Sequence, residues 1–114
     1  MKTEKDPNEI EQHQPGAKLD YGKPMAGLLG DFGNALIEVA KVSTFGAQKY
    51  SRGGWLHVDD GISRYTDAMW RHLLVEANGP IDKDSGMRHA AQVAWNALAR
   101  LELTLRKEQN DEQD

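Results

Sequence analysis

GMRHAAQVAWNALARLELTLRK, residues 86–107, is the stretch on which the fold turns. Met87, Ala90, Ala91, Ala94, Ala97, Leu98, Leu101 and Leu105 recur at spacings of three and four, which is the period of one helix face. Neither proline nor glycine interrupts the run after Gly86. The pattern predicts a long helix over 86–107, with Asp84 or Ser85 available as its cap. Alanines on its apolar face let a neighbouring helix approach closely, so this helix is expected to be central to the domain or to a dimer interface.

Working towards the amino terminus, Ile62, Tyr65, Ala68, Met69, His72, Leu73 and Glu76 trace one stripe of a second helix, roughly 60–77. Asn78-Gly79-Pro80 closes it, and Asp59 or Asp60 can cap its start. Before it, SRGGWLHVDD reads as a connection broken at Gly53-Gly54. A third stripe runs through Leu36, Val39, Ala40 and Ser43 and defines a helix over about 31–50, ending in FGAQKY. Met25, Leu28, Leu29 and Phe32 prolong this pattern upstream, but Gly27, Gly30 and Gly33 weaken it there. No strand pattern is present. The expected fold is all-α, a small bundle of three main helices completed by oligomerisation, because 114 residues supply only a modest core.

Residues 1–16 are polar, end in Pro15-Gly16 and read as a flexible arm. Residues 17–107 form the helical domain, and 108–114 form a charged tail. The net charge of -4 belongs to the ends, since residues 1–16 and 106–114 each carry four acids against two bases. The middle is balanced, without the basic face expected of a duplex DNA binder. No cysteine is available for disulfides or thiolate ligation, so a metal would need His, Asp, Glu or Asn. No apolar run is long enough to span a membrane and no secretory leader is evident, which points to the cytoplasm, including that of an infected cell.

Several polar residues interrupt faces that a plain bundle would fill with leucine. His72 lies among Ala68, Met69, Leu73 and Leu74, and His89 and Asn96 fall seven residues apart on one face of the third helix. Each histidine follows an arginine, Arg71 or Arg88, and the second pair follows DSG at a helix start, where free backbone N–H groups favour an anion. Arg64, Asp67 and Arg71 can form a surface ion-pair ladder, or the two arginines can converge on a phosphate. In FGAQKY and the following GGW, Lys49 is a phosphate candidate and Tyr50 or Trp55 a surface for a base. Glu38, Asp67, Glu76, Asp82, Asp84 and Glu102 are carboxylates available to magnesium, yet none makes a local ExxE or ExxD pair.

The ordered series KLDYGKP, FGAQKY, GGW, RYTDAMWRHLL, DKDSGMRH and WNALARLEL resembles the amino-terminal domain of a bacteriophage dATP/dGTP diphosphohydrolase family, over about residues 17–103. That family is similar to the all-α, MazG-like nucleoside triphosphate pyrophosphatases. The resemblance implies a metal-dependent dNTP pyrophosphohydrolase, using magnesium or manganese and releasing a deoxynucleoside monophosphate and pyrophosphate. On this chain it points to Glu38, His72, Asp84 and His89 as catalytic and metal-holding residues. Lys49, Arg64, Arg71 and Arg88 would hold phosphate, Tyr50 and Trp55 the base, and Asn96 would orient the site. The chain departs from the MazG-like acidic pattern where Lys41 follows Glu38 by three residues. That departure leaves an alternative, a non-catalytic protein that sequesters a cyclic nucleotide or an ADP-ribose-type immune signal of the host.

Overall fold

The computed structural model describes residues 3–113 and divides them into two units, one ending at Asp31 and one beginning at Phe32. The first two residues of the expected arm and the last of the expected tail lie outside the described residues. In the second unit, helix α1 covers Gly33–Lys49, α2 Gly61–Val75 and α3 His89–Gln113. Single 3-10 turns at Gly54–His57 and Glu76–Asn78 lie beside α2. The only strand-like pairing among the described residues is the isolated bridge between Ile81 and Arg88. The all-α class and the three main helices are as the periodicities predict. No helix among the described residues is long and apolar enough to cross a membrane.

The ends of the helices differ from expectation for local reasons. Helix α3 starts at His89 rather than 86, because Gly86 takes a left-handed φ of 74° and the preceding loop folds back on itself. There the N–H groups of Gly86 and His89 donate to the carbonyls of Asp82 (2.7 Å) and Pro80 (2.9 Å), and Asp82 N–H donates to Met87 (2.8 Å). Neither Asp84 nor Ser85 therefore stands at the helix start. At its other end α3 continues to Gln113, six residues past the expected 107, where the sequence is rich in Lys, Glu and Gln and Arg106 pairs with Glu102 one turn back at 2.7 Å. Asp60 precedes α2 in a left-handed conformation (φ 55°), and its carboxylate makes no capping bond.

Helices α2 and α3 run antiparallel. His72 meets His89 at one end, Arg100 Nε donates to Thr66 Oγ1 (2.6 Å) further along, and Leu103 lies over Gly61 at the start of α2. Gly61 is buried, and a Cβ there would stand 3.0 Å from Leu103 Cδ1 and 3.4 Å from Tyr65 Cε2, so a larger residue would require the Leu103 side chain to shift by a few tenths of an ångström. On the side of α3 facing α1, Trp95 Nε1 donates to Ser43 Oγ at 2.9 Å. Trp95 also completes an edge-to-face cluster with Tyr65 and Trp55, at centroid separations of 5.5 and 5.6 Å, while Tyr65 donates to the Trp55 carbonyl at 2.8 Å. This cluster ties the loop before α2 to both α2 and α3.

In the first unit the carboxylate of Asp6, almost fully buried, accepts from the backbone N–H groups of Asn8 (2.6 Å) and Lys18 (2.8 Å). The Lys18 N–H, above all, holds the Asp6 pKa below the usual carboxylate value. Tyr21 N–H donates to the Lys5 carbonyl at 2.9 Å, and the Lys5 ammonium lies 4.2 Å from the Tyr21 ring centre. These bonds connect the sixteen residues read as an arm to the segment that follows Gly16.

Candidate functional site

The antiparallel pairing of α2 and α3 brings together the last turn of one helix and the first turn of the other. His72 and His89, seventeen residues apart in sequence, meet there with their Nδ1 atoms 3.0 Å apart and their ring centres 5.3 Å apart. His89 is 4% exposed, and His72 is half-buried. A contact between two Nδ1 atoms requires one to carry a proton and the other a lone pair. The accepting ring is neutral with its proton on Nε2, whereas the donating ring can take a further proton on Nε2 without breaking the contact. The pair can therefore hold and release one proton.

Burial is the main cause that lowers the His72 pKa, and the charges of His89 and Arg71 act in the same direction. The negative charge of Asp82 opposes them. Asp82 itself is fixed by its loop. Its carboxylate accepts from the Gln92 amide (3.0 Å), the Ser85 hydroxyl (2.9 Å) and the backbone N–H of Asp84 (3.1 Å), and these bonds, led by that of Gln92, lower its own pKa. Gln92 also donates to Ser85 at 3.1 Å, which joins the loop to the first turns of α3. One turn further on, Asn96 is 6% exposed and turns its amide back to the Gln92 carbonyl at 2.8 Å.

Arg71 and Arg88, the sequence neighbours of the two histidines, are exposed, and neither has an ion-pair partner among the described residues. The junction thus combines two histidines in mutual contact with one charged carboxylate, and the arginines next to those histidines in sequence carry guanidinium groups without an ion-pair partner among the described residues, a group that can bind two oxygens of a phosphate.

The other expected site residues are placed elsewhere. Glu38, on α1, binds the Lys41 ammonium at 2.9 Å. Lys49 and Tyr50 stand at the carboxyl end of α1, with the ammonium 5.3 Å from the exposed Tyr50 ring. The Trp55 ring belongs to the aromatic cluster with Tyr65 and Trp95. Arg64, in the first turn of α2, reaches the Asp59 carbonyl at 3.4 Å. Asp84 is exposed in the loop and contributes its backbone N–H, while Asp82 supplies the anchored carboxylate. Asp82 and Ser85 stand three apart before a glycine, a spacing typical of a side chain that closes its own turn, and that signal was available in the sequence. Gln92 carried no comparable signal.

A family model described as dATP/dGTP diphosphohydrolase, N-terminal, matches residues 13–113. The chain belongs to this family. It is also similar to a dATP/dGTP diphosphohydrolase of Salmonella phage PMBT28, with 38% identity over 80 residues, which are 69% of this chain and 26% of the phage protein. The chain therefore spans about a quarter of the length of that relative. No solved structure matches. The resemblance drawn from the six short stretches holds over a longer segment than 17–103.

The magnesium or manganese that the resemblance implies can be tested against the donor set. Among the described residues no three or more His, Asp or Glu side chains stand close enough together to hold an ion. Glu38, His72, Asp84 and His89 thus do not form a ligand set within one chain, and Glu38 is engaged by a lysine. Magnesium also prefers oxygen ligands, which a histidine pair does not supply.

Proposed function

We propose that this chain is the nucleotide-handling domain of a phage dATP/dGTP diphosphohydrolase, acting on a purine deoxynucleoside triphosphate to give a monophosphate and pyrophosphate. The observation that carries this reading is the His72–His89 contact beside Asp82, in a chain of this family. Arg71 and Arg88 bind phosphate oxygens from two sides of the helix junction. Water attacks the α-phosphorus, the bond from that phosphorus to the bridging oxygen breaks, and pyrophosphate leaves. The half-buried His72 takes the proton from the attacking water, and the contact with His89 fixes its ring orientation. Asp82 favours the protonated form of His72 so produced.

The test is pyrophosphate release from dATP and dGTP, with and without added magnesium or manganese. Turnover should fall by about 100-fold or more in His72→Gln, within the range for loss of a general base. In Arg71→Ala and Arg88→Ala, KM should rise more than kcat falls. Absence of pyrophosphate from every dNTP, under all metal conditions, would exclude catalysis by this chain. Tight nucleotide binding without product would instead point to sequestration.

A further inference from the structure

The seam between α2 and α3 holds a cation without a counter-charge. Arg100 follows His89 and Asn96 at spacings of eleven and four along one face of α3, and it is half-buried. Its Nε donates to Thr66 Oγ1 at 2.6 Å, and its Nη1 lies 3.7 Å from Met69 Sδ, both on α2. Neither partner is charged, and among the described residues no carboxylate pairs with Arg100. No hydrogen bond there reaches Nη2, yet no unpartnered side-chain nitrogen or oxygen of a half-buried residue is sealed from the surface. This end of the guanidinium is therefore accessible from outside. We infer that Arg100 is the inner phosphate-binding residue of the nucleotide site, holding the diphosphate that leaves while His72 faces the α-phosphorus. The inference rests on the hydrolytic reading given above.

Cost, direction and donor geometry select this ligand. A guanidinium stays charged at any ordinary pH, so a half-buried one without a counter-ion carries a desolvation cost that an anion offsets. The side chain crosses from α3 to Thr66 and then to Met69, and His72 lies three residues further along α2, about 4.5 Å of helix rise. His72 meets α3 as well, through His89. Arg100 and the histidine contact thus stand in succession along one seam, at a separation that a row of phosphates can bridge. The N–H groups left over after Thr66 and Met69 belong to a planar fork, which suits two oxygens of one phosphate. Arg71 and Arg88 differ from it in being exposed, with their charges already solvated.

Calorimetry of the full chain with inorganic pyrophosphate, run beside turnover of dATP, tests the assignment. Arg100→Gln should weaken pyrophosphate binding by about tenfold or more, as loss of hydrogen bonds from a charged group does, and raise KM for dATP more than it lowers kcat. Arg106→Gln removes an exposed arginine paired with Glu102 on the same helix, and its affinity should stay within about twofold of the native chain. Affinity unchanged in Arg100→Gln, or reduced equally in Arg106→Gln, overturns the assignment. A native chain that binds neither pyrophosphate nor dATP also overturns it. Should Arg100→Gln fail to fold, Arg100→Lys decides, because an ammonium keeps the charge without the fork: a loss of about fivefold is expected, and an unchanged affinity overturns the role of Arg100. Pyrophosphate binding that depends on Arg100 in a chain that turns over no dNTP upholds the phosphate site and refutes hydrolysis alone. Turnover that survives Arg100→Gln with KM unchanged upholds hydrolysis and refutes the role of Arg100.

Discussion

His72 and His89 show how two residues far apart in sequence acquire a joint property that neither has alone. With their Nδ1 atoms 3.0 Å apart, both rings can be neutral or one can be cationic, but two cations would put like charges and two protons into one contact. Burial lowers the His72 pKa from its ordinary value of 6.5, so the unfolded chain binds more protons than the folded chain as the medium becomes acidic. The stability tied to this group is therefore complete above pH 6.5 and is lost as the pH falls through the lowered folded value. Thermal melts should show Tm dropping between pH 7.5 and 5.5, and His72→Gln should remove most of that drop. An equal drop in the variant would show that other groups carry it. Asp82 adds a separate loss of stability in the more acidic carboxylate range, since its pKa is lowered as well. The seven-residue spacing of His89 and Asn96 marked a buried polar face in the sequence. That His72 would be the partner was not legible, because only the register between α2 and α3 decides it.

At the level of elements, the loop of residues 80–88 governs where α3 begins and so where His89 points. Three donors converge on Asp82, one each from Gln92, Ser85 and the Asp84 backbone. Asp82→Ala removes all three and should cost about 1–2 kcal/mol in urea denaturation, given that hydrogen bonds to a charged group are worth more than neutral ones and that solvent access reduces them here. Asp84→Ala leaves the backbone N–H donor intact and should change stability by less than about 0.5 kcal/mol. Equal losses in both variants would refute the role given to Asp82. The three helices were readable from periodicity because an apolar residue every three or four positions has no other regular explanation. Their ends were less so. Gly86 and the Ile81–Arg88 bridge displaced the start of α3 by three residues, and helix-favouring Lys, Glu and Gln carried its end into what composition marks as a tail. Lys41 stands on Glu38 at 2.9 Å, as its place three residues further along the helix suggests, so a metal at Glu38 would have to displace an ammonium group first.

For the whole molecule the decisive quantity is the scarcity of enclosed apolar volume. A domain is stable by only a few kcal/mol, most of it from burial, and α1 to α3 leave their largest apolar side chains at least half in contact with solvent in many places, Ile37, Leu74 and Leu98 among them. If a second copy completes the core, folding and association are one reaction and stability depends on protein concentration. A hundredfold dilution then lowers the stability of the dimer by about 2.7 kcal/mol. With an unfolding entropy of about 2.1 cal/mol/K per residue over the ordered parts of two chains, this corresponds to a fall in Tm of about 5–10 °C. Calorimetry or far-ultraviolet melts between 1 and about 100 µM measure it directly. A Tm independent of concentration would mean that each chain is stable alone, in which case the exposed leucines must be tolerated by a core that α2 and α3 provide through their polar seam and the Trp55, Tyr65 and Trp95 cluster.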